Sequence, residues 1–267
     1  MTSYKLIAID LDDTLLNDKL EVTAATRDAL AEAVSRGVQV TLATGRMFAS
    51  AKQTAGQVGL NVPIITYQGS LVRNLLDEQV LYERSVDLEA VRRLYAYTRA
   101  NKLHLQTYID DKLYSFDDGD KLAAYAKQSN IPYIVETELD ALPAGNHTKL
   151  IIIDEPAKLD EIAPELHALL GPDVHITKSK PHYLEFTHRE GTKGHALRFL
   201  AEHYGYSMDE TIAIGDSWND REMVEAAGLG VAMANAVPAL REIADYVTLS
   251  NNEDGVKHVI DKFVLNA

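Results

Sequence analysis

Asp10, Asp12 and Asp13 crowd the end of an apolar run in the segment KLIAIDLDDTLL, Lys5 to Leu16. Burying an ionised carboxylate without a partner costs on the order of several kcal/mol, so something must hold these charges in place. Side chains two apart on a strand point the same way, and Asp10 and Asp12 therefore project together where the chain leaves its sheet. Two carboxylates about 4 Å apart repel by roughly 4 kcal/mol at an effective dielectric near 20, which a divalent cation or a shared proton relieves. Far along the chain, IAIGDSWND repeats the pattern: an apolar strand ends in Gly215 and Asp216, and Asn219 and Asp220 open the next helix. Clustered oxygen ligands, with no cysteine and no His pair at helical spacing, suit Mg²⁺ better than zinc. An EF-hand fails on context, since Leu15 stands where that loop needs glycine and a strand precedes it, although Glu21 falls at a twelfth-position ligand.

Two further elements have the makings of an anion site. VTLATGR ends a strand at Thr44 and continues through Gly45 to Arg46, offering a small hydroxyl and exposed backbone N–H groups that cradle phosphate. REGTKGHAL places Lys193 before a glycine at a helix start, where an ammonium group meets an anion in the company of backbone donors.

Positioning these residues requires a particular scaffold. The runs LIAI, VQVTLA, PIITY, TIAIG, LGVAMA and YVTL read as strands buried on both faces. Helical patterns lie between several of them, including Thr23 to Arg36 and Asn219 to Ala227, each stopping before a glycine. Alternation of this kind predicts right-handed crossovers, a parallel sheet with helices on both sides, and ligands at the C-terminal strand ends. The stretch from about Ser85 to Thr187 reads differently, with a helix over Leu88 to Asn101, a hairpin LQTYIDDKLYSF, strands around KLIIID and YLEF, and a helix from Pro156 to Leu170. It predicts an inserted α+β unit over 85–187, flanked by core segments 1–84 and 188–267.

Composition sets outer bounds. With 26 Lys and Arg against 40 Asp and Glu among 267 residues, the formal charge of −14 argues against nonspecific binding to nucleic acid or anionic membranes. The absence of cysteine excludes disulfides, thiolate metal sites and thiol nucleophiles. The first apolar run is too short to span a membrane and no charged leader precedes it, so a cytoplasmic protein is expected. Nothing implies a protein partner. Asp117 to Asp120 reads as an exposed acidic turn, His195 and His203 as surface or packing residues, and Tyr95, Tyr97, Tyr108 and Tyr114 as packing within the inserted unit.

Together DLDDT, LATGR, GTKGHAL and GDSWND resemble the motifs of the haloacid-dehalogenase superfamily of phosphatases. The large insertion between the second and third is similar to that of the Cof-type subgroup, which acts on sugar phosphates and related phosphomonoesters. The resemblance implies a Rossmann-like parallel-sheet core with an α/β cap over the substrate, a small phosphorylated metabolite. It implies Asp10 as a nucleophile that becomes a phosphoaspartate, and Asp12 as general acid and then base. Mg²⁺ would be held by the Asp10 and Asp216 carboxylates and the Asp12 backbone carbonyl, with Asp220 in support. The Leu11 backbone, Thr44, Gly45, Lys193 and Asn219 would bind phosphoryl oxygens. Arg46, Lys180, His182 and Tyr183 are candidates for substrate or cap contacts. Asp13 stands where glycine is common in the family and Gln68 where asparagine is, which bears on cap contacts and substrate choice. The alternatives are a phosphomutase on the same core, a phosphoacceptor signalling domain, and a non-catalytic phosphosugar-binding protein.

Overall fold

The structure is a computed structural model that describes residues 4–60 and 62–266. Five strands form a parallel sheet in the order Tyr246–Val247, Leu229–Ala232, Thr211–Gly215, Leu6–Ile9, Gln39–Leu42. Every residue of Leu6–Ile9 is fully buried, which explains why this strand is apolar at successive rather than alternate positions. Ile9 pairs in register with Ile214 on one side and Leu42 on the other. Asp10, Gly215 with Asp216, and Ala43 with Thr44 therefore leave the sheet at one common edge, its C-terminal one. The helix expected near Thr23 spans Ala24–Ser35, and the Thr23 hydroxyl caps it by accepting from Thr26 N at 3.1 Å.

Two local expectations need correction. The run PIITY gives a strand, Ile64–Thr66, but it pairs antiparallel with Leu71–Arg73 in a separate three-stranded sheet and meets the parallel sheet through one bridge, Ala43 to Ile65. The reason is the turn that follows, where Tyr67 and Gln68 both take positive φ, +51° and +64°. Left-handed backbone costs a residue with a side chain about 1–2 kcal/mol, but it supplies the twist that a tight hairpin needs. The helix expected from Asn219 begins instead as a tight turn, Trp218–Asp220, followed by Arg221–Ala226. Asp220 folds back there to accept from the N–H groups of Asp216 and Ser217, at 2.9 Å each.

A second, six-stranded sheet runs Val174–Lys178, Tyr183–His188, His147–Ile153, His104–Ile109, Lys112–Ser115, Tyr133–Val135, antiparallel except for its last pair. Alternation along its strands decides what each face meets. Leu150, Ile152, Leu184 and Phe186 pack against helices Leu88–Asn101 and Pro156–Leu170 in a core of their own. Lys149, Ile151 and Glu185, on the opposite face, look toward the parallel sheet. The strands that cross between the two sheets are tied side by side: Arg84 Nε lies 2.9 Å from Glu190 Oε2, and the Tyr82 hydroxyl donates to Glu190 O at 2.5 Å. At the far end of the seam, Asp111 accepts from the Tyr67 hydroxyl and from Phe48 N.

Candidate active site

Asp10 emerges from its strand almost fully buried and meets Lys193 Nζ at 2.5 Å through Oδ1. Lys193, the first residue of helix Lys193–Tyr204, has no solvent exposure and also donates to Asp220 Oδ1 at 2.6 Å. Thr14 Oγ1 donates to Asp216 Oδ1 at 2.8 Å. Glycine at 215 is a requirement here, because a Cβ would collide with the Asp220 carboxylate. Asp13 takes φ +62° in the irregular turn Leu11–Leu15, which gives the physical reason for a glycine preference and for aspartate as a tolerated substitute.

The electrostatics follow from burial and crowding. Burial pushes the Asp10 carboxyl well up; the Lys193 charge opposes this and the Asp220 and Asp216 charges add to it. Asp216 is pushed up to about 7 by burial and by the Asp220 charge. Burial pulls the Lys193 ammonium down, but Asp10 and Asp220 outweigh it and hold the group above its ordinary range. Asp12 behaves differently: burial pushes it up, yet two hydrogen bonds from Arg46, at 2.9 and 2.5 Å, together with the guanidinium charge bring it below the usual carboxylate range.

One oxygen each from Asp10, Asp216 and Asp220 lies within 4.8 Å of the others, a cluster that could hold a metal ion. Both oxygens of Asp220 are engaged by protein donors, whereas Asp10 and Asp216 each have one engaged. The crowding that pushes Asp10 and Asp216 up is what a bound cation would relieve. Asn219 Oδ1 is buried with no hydrogen-bond partner among the described residues, an acceptor free for a donor at the site. Hard oxygen donors fit a small divalent cation of the magnesium type.

Asp10, Asp12 and Asp216 open onto a cavity of about 110 Å³ between the two sheets, while Lys193 and Asp220 are buried and do not line it. Thr44, Gly45, Arg46 and Asn219 line it beside the acids, and Lys180 and Tyr183 line it from the second sheet. Thr44 Oγ1 accepts from Arg46 N at 3.2 Å, which curls the loop around Gly45. Leu11 is fully buried between Asp10 and Asp12, and its side chain does not line the cavity. His182 is exposed, with Nδ1 3.3 Å from Asp154 O, and does not line the cavity. Tyr108, expected as packing, is buried as such and also reaches the cavity wall with Tyr125, their hydroxyls 2.6 Å apart. Sequence reasoning passed over Thr14, Lys149 and Glu185. The signal for the last two was a charge on the inner face of each of two neighbouring apolar strands.

A family model described as haloacid dehalogenase-like hydrolase matches residues 7–260. The chain is 35% identical to the putative phosphatase YxeH of Bacillus subtilis (strain 168), over 98% of this chain and 99% of that protein. It is 33% identical to the 5-amino-6-(5-phospho-D-ribitylamino)uracil phosphatase YwtE of the same organism, over 97% and 98% respectively. Among solved structures, TM0651 from Thermotoga maritima matches with 38% identity, 97% of each chain and a TM-score of 0.82. Since the likeness runs through both sheets and all four motifs that meet at the acid cluster, the chain belongs to the haloacid dehalogenase-like hydrolases, and it is a phosphatase of the Cof type.

Proposed function

We propose that the enzyme hydrolyses small polyhydroxylated phosphomonoesters, sugar phosphates among them, through a phosphoaspartate on Asp10 with Mg²⁺ as cofactor. The observation that carries the reading is the meeting of Asp10, Lys193 and the Asp216–Asp220 pair at one sheet edge, with Asp12 and the Thr44–Gly45 loop on the same cavity. A relative named for a phosphorylated ribityl compound supports a polyhydroxylated leaving group, and residues 85–187 would form the cap that selects it.

In the first step an Asp10 carboxylate oxygen attacks phosphorus, the bond to the leaving oxygen breaks, and that oxygen takes a proton from Asp12. In the second, water attacks the phosphoaspartate and gives its proton to Asp12, and the P–O bond to Asp10 breaks to release phosphate. Arg46 favours the ionised Asp12 that the second step needs. The incoming phosphate dianion competes for the guanidinium and leaves Asp12 able to carry a proton in the first. Lys193 neutralises Asp10 in the ground state and the equatorial oxygens as they develop charge, while the Leu11, Thr44 and Gly45 backbone and Asn219 hold the group in line. Asp10, Asp216 and the Asp12 carbonyl, with Asp220 behind them, would hold Mg²⁺, which when bound would supply positive charge that lets one anion approach another. No single group suffices, since one positioned acid or base contributes about 10²–10⁴ whereas phosphate monoester hydrolysis needs accelerations up to about 10²¹.

Phosphate release from a panel of sugar phosphates, nucleotides, flavin mononucleotide and pyridoxal phosphate tests the reading. Turnover should cease with a chelator and return with Mg²⁺. Asp10→Asn should fall by about 10⁴-fold or more while remaining folded; sustained turnover by that variant removes Asp10 from its role. Isomerised sugar phosphate without net release would mark a mutase.

A further inference from the structure

A buried ion pair in the second sheet is not used by the chemistry above. Lys149 Nζ and Glu185 Oε1 lie 3.2 Å apart, with side chains 2% and 3% exposed. Each reaches a second partner across the seam. Lys149 Nζ donates to the carbonyl of Gly45 at 2.6 Å, and Glu185 Oε2 accepts from Gln68 Nε2. Gln68 Oε1 in turn accepts from Asn219 Nδ2 at 2.8 Å.

The chain of bonds has a direction. An ionised carboxylate only accepts, so Glu185 obliges Gln68 to present its amide N–H. That choice turns the Gln68 carbonyl toward Asn219, which must then offer N–H to Gln68. The remaining Asn219 N–H and its carbonyl are thereby fixed with respect to the cavity. Gln68 is held for this contact by left-handed backbone at both Tyr67 and Gln68, and Gly45 by the lack of room for a Cβ against Gln68 Nε2. A buried ion pair is a weak source of stability, because an apolar pair of similar shape often does as well or better. Its value here lies in the two bonds it sends to the loops around the phosphate site.

We propose that Lys149 and Glu185 are positioning residues for hydrolysis: by gripping the Gly45 carbonyl and orienting the Gln68–Asn219 relay, they give the phosphate cradle its working form only when the cap sheet is seated. The inference rests on the reading of Thr44, Gly45 and Asn219 as that cradle.

The decisive comparison is the Lys149→Met/Glu185→Leu double variant against wild type, with Mg²⁺ and two substrates, p-nitrophenyl phosphate and glucose 6-phosphate. The apolar pair should keep the melting temperature within a few degrees of wild type. At the same time kcat should fall about 10²-fold on both substrates, the loss typical of a small misplacement of reacting groups, and inorganic phosphate should inhibit more weakly. Wild-type kcat in the folded double variant overturns the proposal. So does a loss confined to KM for glucose 6-phosphate, which would assign the pair to leaving-group recognition. Should the double variant not fold, Glu185→Gln, equal in size, carries the test: its amide no longer dictates Gln68's orientation, so, assayed well below a melting temperature lowered by the loss of Lys149's partner, kcat should fall on both substrates, and unchanged kcat refutes the relay. Asp10→Asn is assayed alongside; its turnover would sink the catalytic reading itself rather than the relay.

Discussion

Lys193 and Lys149 are both buried, the first at the start of a helix beside the parallel sheet and the second on a strand of the antiparallel sheet, and their surroundings differ. Lys193 sits between two carboxylates, Asp10 and Asp220, at the C-terminal edge of the parallel sheet. Lys149 has one carboxylate, Glu185, and spends its other bond on a backbone carbonyl, with the Tyr108 ring 5.3 Å away. Burial penalises the Lys193 charge and two carboxylates outweigh that penalty, whereas Lys149 is matched with a single carboxylate. On the proposed mechanism, the difference separates a group that acts on substrate from one that holds the acting parts in place.

Replacing each lysine by methionine should expose that separation most strongly. Lys193→Met is expected to lower kcat by about 10³-fold, the scale set by removing a preorganised charge at the reacting centre. Lys149→Met should lower it by about 10²-fold and also lose about 3–5 kcal/mol of stability, because Glu185 is left buried without its partner. Steady-state rates and chemical unfolding read both quantities, and equal kcat losses would erase the distinction.

Acid offers a second contrast. His147 lies two residues before Lys149 on the same strand, across an irregularity in the pairing with His104–Ile109; its Nδ1 is 2.9 Å from the Thr107 hydroxyl, and burial lowers its pKa from 6.5 to about 4. The folded protein therefore binds fewer protons at His147 than the unfolded chain does. Its contribution is complete above pH 6.5 and is lost as the pH falls toward 4, by up to about 3 kcal/mol. Melting of wild type and His147→Gln across that window should diverge as acid is added; parallel curves would show that His147 does not limit the cap sheet. A smaller effect belongs to the far end of the seam. Asp111→Ala removes the acceptor for Tyr67 and Phe48 N and should cost about 1–2 kcal/mol. A modest rise in KM would accompany it if the seam closes as a unit, and unchanged kinetics would confine closure to the Lys149 end.

The acids, the hydroxyl and the catalytic amine were legible in the sequence because each stands at a strand or helix end that local signals announce. Asp10 and Asp216 follow apolar runs, Thr44 precedes a glycine, and Lys193 opens a helix capped by Thr192. Helices Leu88–Asn101 and Pro156–Leu170 and the hairpin through Asp110 and Asp111 could be read for the same reason, both helices to the residue, whereas helix Asp120–Ser129 was not read. Lys149 and Glu185 were not, since alternation tells which face a side chain takes but not what lies opposite it. Gln68 was noticed only as a departure from family habit; its left-handed backbone gives the reason asparagine is common there. PIITY misled because Tyr-Gln is a poor turn dipeptide, and Gly69 was the only punctuation to show that the chain doubles back.

Arg84 and Glu190 bring together the two segments that lead into and out of the antiparallel sheet. On the proposed reading of residues 85–187 as a cap, that unit is exchangeable: grafting a counterpart from a relative at these positions should alter which alcohols are released while the acid edge stays untouched. Such a chimera would keep its turnover only if the donor unit brought its own lysine and glutamate to the places of Lys149 and Glu185.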